Sequence, residues 1–281
     1  MVELMAEIDP TAHVETAAAI GTDVEIGPYC VVGRNVTVGA GCRLIAHVHL
    51  TGHTSIGPGT VIYPFASLGT PPQSVKYRGG PTRLVIGAKC QIREGVTMNT
   101  GTEDGGGITS VGDRGFFMVG SHVGHDCQVG NDVIFANNAV LGGHVVIEDN
   151  VVLGGQAAVH QYVRVGEGVM IGGMTGVGAD VVPFALVFGA HGSLIGLNRV
   201  GLKRRGASQG DLQRLRRAYS ILFHGKGGFG ERIEVVSREF EGDPMVGKIV
   251  NFIRNGGTRP IMRTRARDNS ASPHVDFNGA S

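Results

Sequence analysis

The stretch HVGHDCQVG, residues 122–130, brings His122, His125, Asp126 and Cys127 close together in the chain. Three chemistries use such groups. Imidazoles and a carboxylate can hold a zinc ion. A thiol near an imidazole can be a nucleophile with its base. An imidazole beside a carboxylate can remove a proton, the carboxylate orienting the ring and fixing its tautomer. The choice depends on which side chains share a face, and so on the elements that carry them.

Those elements follow from a period of six. Apolar residues recur at Ile8, Val14, Ile20, Ile26, Val32, Val38, Leu44, Leu50, Ile56, Ile62 and Leu68, then at Ile86, Ile92 and Met98, then from Val111 and Phe117 through Val123, Val129 and Phe135 to Val177. Four residues after each stands a small or β-branched side chain, such as Cys30, Val36, Cys42, Cys127, Val133 or Ala139. In a short strand, alternate side chains share a face, and the glycine that often follows the apolar residue permits a corner. The pattern predicts an all-β solenoid, a parallel β-helix of hexapeptide repeats. Three sides make a coil of about 18 residues, with coils about 4.8 Å apart. The period alone does not give the handedness.

We assign 1–189 to the β-helix, interrupted by projecting loops at 70–83 and 99–110 that hold Gln73 and Lys76 in the first. Loops on a repetitive wall are natural places for ligand contacts. From 190 to 263 the apolar spacing turns helical, with Leu212, Leu215, Tyr219, Leu222 and Phe223, then Val246, Ile249, Val250 and Ile253. A small C-terminal α-helical domain is expected there, covering the open coil edge. The polar segment 264–281 reads as a disordered tail.

The register sorts the opening stretch. Cys127 faces inward with the other cysteines, a buried small apolar group rather than a nucleophile. His122, His125 and Asp126 lie on the wall. One coil further, Gly143 stacks over His125 and His144 over Asp126, and His160 and Gln161 follow on the next coil. The grouping favours a general base oriented by a carboxylate. A zinc site, as in a β-helical hydratase, and a non-enzymatic scaffold remain as alternatives; metal binding is not expected.

Composition excludes other classes. The 281 residues include 47 glycines, no tryptophan and 6% aromatics, which suits closely spaced turns. A net charge of +1 gives no global argument for nucleic acid. No segment has the roughly 20 apolar residues of a membrane span, and the start MVELMAEIDP reads as neither leader nor anchor. Four scattered cysteines suit a reducing, cytoplasmic compartment.

The strings HVGHDCQVGNDVIFANNAVLGGHVVIEDNVVLGGQAAVHQYVRVG, QSVKYRGGPTRLVIG and GLNRVGLKRRG resemble the UDP-N-acetylglucosamine O-acyltransferases of lipid A biosynthesis, over nearly the whole chain except the tail. The resemblance implies a left-handed β-helix, an exception to the usual crossover handedness, and a homotrimer with sites between subunits. It implies transfer of an (R)-3-hydroxyacyl group from acyl carrier protein to the glucosamine 3-position of UDP-N-acetylglucosamine. No cofactor is implied beyond the phosphopantetheine that carries the donor. On the matching positions, His125 is the base, Asp126 its orienter and the Gly143 N–H an oxyanion donor. Lys76 contacts the acceptor or the acyl donor, and Gln73, His122, His144, His160 and Gln161 line the sugar site. Asn198, Arg204 and Arg205 meet the nucleotide end, and Gly173, with Met174 beside it, gauges acyl length. Two departures, Ser74 and Val200 where the family carries acids, raise the alternative of a 3-amino UDP-sugar acylated to an amide.

Overall fold

The computed structural model describes residues 5–264; the tail assigned above lies outside the described residues from 265 on. From Glu7 to Val177 the chain visits three sheets in turn, so that every third strand is a parallel, hydrogen-bonded neighbour. Glu7–Ile8 pairs with Glu25–Ile26, and that strand with Arg43–Leu44, an advance of eighteen residues each time. The three inward columns therefore sample the six-residue series in rotation. Ile26, Leu44 and Ile62 fill one, Val32, Leu50 and Leu68 the next, Val38, Ile56 and Ile86 the third, all buried. Lower coils hold aliphatic residues, and at mid-height Phe117 and Phe135 meet edge to face at 4.9 Å.

The two interruptions are shorter than the sequence suggests. Thr70 pairs with Asn99, and Arg83–Ile86 pairs residue by residue with Ile108–Val111, so the irregular parts are 71–82 and 100–107. The reason is that backbone pairing continues wherever two neighbouring coils both have chain to offer. Both loops leave the coil at one corner, between the nine-stranded and eight-stranded sheets. The next two corners in that column carry His125–Asp126 and Gly143–His144.

Parallel strands end at Phe188, but the sheet continues past 189. Ala185–Phe188 turns back onto Ser193–Leu197 as an antiparallel pair, which supplies the edge with a last strand, and the helices begin only at Arg199. They are α1 (Arg199–Arg204), α2 (Gln209–His224), α3 (Phe229–Glu239) and α4 (Pro244–Arg254). Ser208 and Asp211 form a capping box that starts α2, and Asp243 caps α4 ahead of Pro244. Several polar contacts join helices to coil, among them an ion pair of Lys248 in α4 with Glu167. Tyr219 donates its hydroxyl to the Pro183 carbonyl at 2.7 Å, and Arg164 bridges the buried Asp180, at 2.8 Å, to the face of Phe252 in α4, at 4.4 Å.

The corners obey a simple hydrogen-bond pattern. At most corners the residue after the periodic apolar position donates to the coil above, as Gly142 does to the Val159 carbonyl, and the third donates to the coil below, as His144 does to the His125 carbonyl; Asp126 instead donates to the Thr109 hydroxyl. Among the described residues, the residue between them has no backbone acceptor at the regular corners. On one corner column side chains supply it: Asp113 accepts from Ala88 N–H, Asn131 from Asp113 N–H and Asp149 from Asn131 N–H, at 2.7, 2.8 and 2.7 Å. On the His125 corner no side chain among the described residues does so.

Candidate active site

At that corner the Nδ1 of His125 lies 2.8 Å from Asp126 Oδ2. Asp126 is buried, with a left-handed φ of 59° that turns its carboxylate back under the second loop. There Thr102 donates its N–H to Oδ1 at 2.8 Å and its hydroxyl to Oδ2 at 2.6 Å, and the Asp126 N–H reaches the Thr109 hydroxyl at 2.8 Å. With Nδ1 committed to the carboxylate, the free Nε2 is the ring's proton acceptor.

Gly143 stacks against this imidazole. A Cβ built there would lie 2.5 Å from His125 Cε1 and 2.6 Å from Nε2. Its φ is not left-handed, so the ring rather than the backbone requires glycine. Gly143 occupies the corner position whose amide has no backbone acceptor, and among the described residues no side chain takes that N–H either. A base nitrogen thus adjoins an unengaged amide donor. That pairing can deprotonate a hydroxyl and receive the charge that develops on an attacked carbonyl.

His144 stands over Asp126 as the register predicts, its Nε2 3.7 Å from Oδ2 and its ring at right angles to His125. Burial lowers its pKa from the ordinary imidazole value, partly opposed by Asp126. His122, half-buried, places Nδ1 2.8 Å from the Thr97 hydroxyl, and burial lowers its pKa too. Both imidazoles are thereby biased toward the neutral form, as hydrogen-bonding groups rather than charges. Donor atoms of His125, Asp126 and His144 all lie within 4.8 Å of one another, a spacing the zinc alternative would also use.

Cys127 points into the core, and burial pushes its thiol up to about 12. Cys127→Ala should keep turnover within about twofold while costing about 1 kcal/mol of stability, since a buried neutral thiol contributes packing and no thiolate. Assay and thermal melting check the two halves.

Other expected residues are spread further. Gln73 and Lys76 are exposed on loop 71–82, with Lys76 N–H 3.3 Å from Ser74 Oγ. His160 and Gln161 are exposed, and Arg259 engages both, reaching His160 Nδ1 at 2.8 Å and the Gln161 carbonyl at 3.0 Å. Gly173 and Met174 occupy the opposite corner of the nine-stranded sheet, Met174 73% exposed. Between the two corners, outward side chains shrink from His122 to Val140, Ala158 and Gly176. Asn198, Arg204 and Arg205 are not brought to His125 within the chain. Arg205 packs on Gly168, at the third corner. Asn198 caps α1 through Gly201 N–H and donates to the Gly168 carbonyl at 3.0 Å, so its amide is engaged internally.

Sequence reasoning missed Tyr162, whose ring stacks on His144 at 4.5 Å and 4°. Its signal was available, because it follows His144 by the eighteen-residue coil step. It missed Thr97, the partner of His122 one coil earlier, because the second loop lengthens that coil beyond eighteen residues, and it missed Thr102 and Arg259 because neither belongs to the register of that corner.

Comparison with known proteins identifies the family. A family model described as UDP N-acetylglucosamine O-acyltransferase, domain 2, matches residues 180–262. The acyl-[acyl-carrier-protein]–UDP-N-acetylglucosamine O-acyltransferase of Azorhizobium caulinodans is 54% identical over 92% of this chain and 95% of its own. The enzyme of the same name from Rhizobium etli is 48% identical over 91% and 94%. This chain belongs to that acyltransferase family. The crystal structure of the UDP-N-acetylglucosamine O-acyltransferase of Moraxella catarrhalis superposes with a TM-score of 0.89 at 37% identity, covering 91% of this chain and 99% of that one. The family match thus takes in the coil, its two loops and the helical part together. Among the described residues, no helix of this acyltransferase family member is long and apolar enough to cross a membrane.

Proposed function

We propose that this chain transfers an (R)-3-hydroxyacyl group from acyl carrier protein to the 3-hydroxyl of the glucosamine in UDP-N-acetylglucosamine, the first step of lipid A biosynthesis, in the cytoplasm. Family membership supports the reaction, and one observation carries the mechanism: the His125–Asp126 pair at 2.8 Å beside the unengaged Gly143 amide. His125 Nε2 removes the sugar hydroxyl proton as that oxygen attacks the thioester carbonyl. Asp126 stabilises the imidazolium that forms. The Gly143 N–H donates to the carbonyl oxygen as it becomes an oxyanion. Collapse expels the phosphopantetheine thiolate, to which His125 returns the proton. No acyl-enzyme forms.

Asn198, Arg204 and Arg205 cannot reach His125 of their own chain, which supports a homotrimer of left-handed β-helices in which they serve a neighbour's site. Lys76 and Gln73 hold the acceptor from loop 71–82, with His122, His144, His160 and Gln161 along the wall. The acyl chain runs along the sheet face where side chains shrink toward Gly173 and Met174. The chain needs no cofactor or metal of its own in this reading, because Nδ1 of His125 is occupied by the carboxylate and the chemistry uses only a proton acceptor and an amide donor.

The test supplies the purified protein with UDP-N-acetylglucosamine or its 3-amino analogue, and with 3-hydroxyacyl carrier proteins of several lengths, in the presence and absence of a chelator. Mass spectrometry should find the ester from the natural sugar at an unchanged rate with chelator. Exclusive amide formation, or activity tracking stoichiometric zinc, would overturn the reading.

A further inference from the structure

The Asp126 carboxylate faces two imidazoles, with Oδ2 2.8 Å from His125 Nδ1 and 3.7 Å from His144 Nε2. Rotation about a terminal carboxylate bond is soft, so a group outside the pair must decide which ring it serves. Thr102 is placed to do this. It precedes the turn Glu103–Gly105 in the N-cap position, yet its hydroxyl makes no capping bond there. Instead the side chain and the N–H of this one buried residue engage both oxygens of Asp126, at 2.6 and 2.8 Å.

Two donors from one residue define the plane of the carboxylate. The surrounding chain enforces it: a Cβ at Gly101 or Gly105 would collide with the Asp126 carboxylate, so the loop backbone closes over it. The loop is anchored in turn. Glu103 Oε1 accepts from Gly80 N–H at 2.6 Å and Arg78 N–H at 3.2 Å, tying 100–107 to the loop that carries Lys76. Left-handed φ values of 94° and 78° at Gly106 and Gly107 complete the reversal back into the sheet.

We propose that Thr102 is a positioning residue of the reaction, holding the Asp126 carboxylate toward His125 and away from His144. It touches no reacting atom and acts only through Asp126. Its kinetic consequence rests on the acyl-transfer reading; the hydrogen bond itself does not.

The test compares Thr102→Val, which keeps shape and N–H but removes the hydroxyl, with Thr102→Ser, which restores it. In the valine variant kcat should fall about tenfold with KM within about twofold, the loss of one hydrogen bond to a charged group. In histidine-labelled protein without substrate, the Nδ1 proton resonance of His125 should move in the valine variant and return in the serine variant. A merely structural role would lower the melting temperature of the valine variant while leaving the resonance and the kcat-to-KM split as in the parent, and that result overturns the proposal. Because the resonance is read without turnover, a parent protein that makes no acyl product counts against the reaction and leaves the Thr102 measurement standing.

Discussion

His125→Ala should lower kcat by about three orders of magnitude, the middle of the range for loss of a positioned general base, with the fold retained. The side chain lies at the surface of a corner, 13% exposed, and takes no part in the buried columns, so its removal costs little packing. Asp126 does not substitute. Its carboxylate is buried, already accepts two hydrogen bonds from Thr102, and lies behind the ring rather than in front of it. Single-turnover acyl transfer, with circular dichroism and sedimentation as controls on fold and assembly, measures the effect. Retention of more than a few per cent of activity sinks the general-base mechanism.

The second large effect should come from Gly143→Ala. Ordinary φ means the backbone accepts alanine, and the corner should form. The new methyl group, however, meets the His125 ring at 2.5–2.6 Å, well inside van der Waals contact, so the ring must swing aside. That movement lengthens the bond to Asp126 and displaces Nε2 from the amide beside it. A fall in kcat of about 10²-fold is expected, of the size seen when one oxyanion donor is lost, with a much smaller change in KM. Wild-type kcat in this variant would show that the amide and the imidazole do not act on one substrate.

Much of this was legible because the repeat is so regular. Six-residue spacing put Cys127 inside and His125 outside, and one coil step put Gly143 and His144 above the pair. The same arithmetic extended one coil further finds Tyr162. It fails at the two loops, where the spacing lapses and no rule says which residue faces the wall. Thr102 and Glu103 look like ordinary loop residues in sequence, and only the fold shows that one holds the orienting carboxylate and the other the neighbouring loop.

The sequence by itself determined the coil, its inward columns and the stacking of His125, Asp126, Gly143 and His144, because a repeat with fixed rise makes distance along the chain a measure of position in space. Tertiary structure decided the rest. It trimmed both loops and set them at the His125 corner, extended the sheet past residue 189, left the Gly143 amide unengaged, and put Arg205 at a different corner from the base. Those outcomes depend on hydrogen bonds between segments with no common period, and they are settled only when the backbone and side-chain donors of the whole chain are satisfied together.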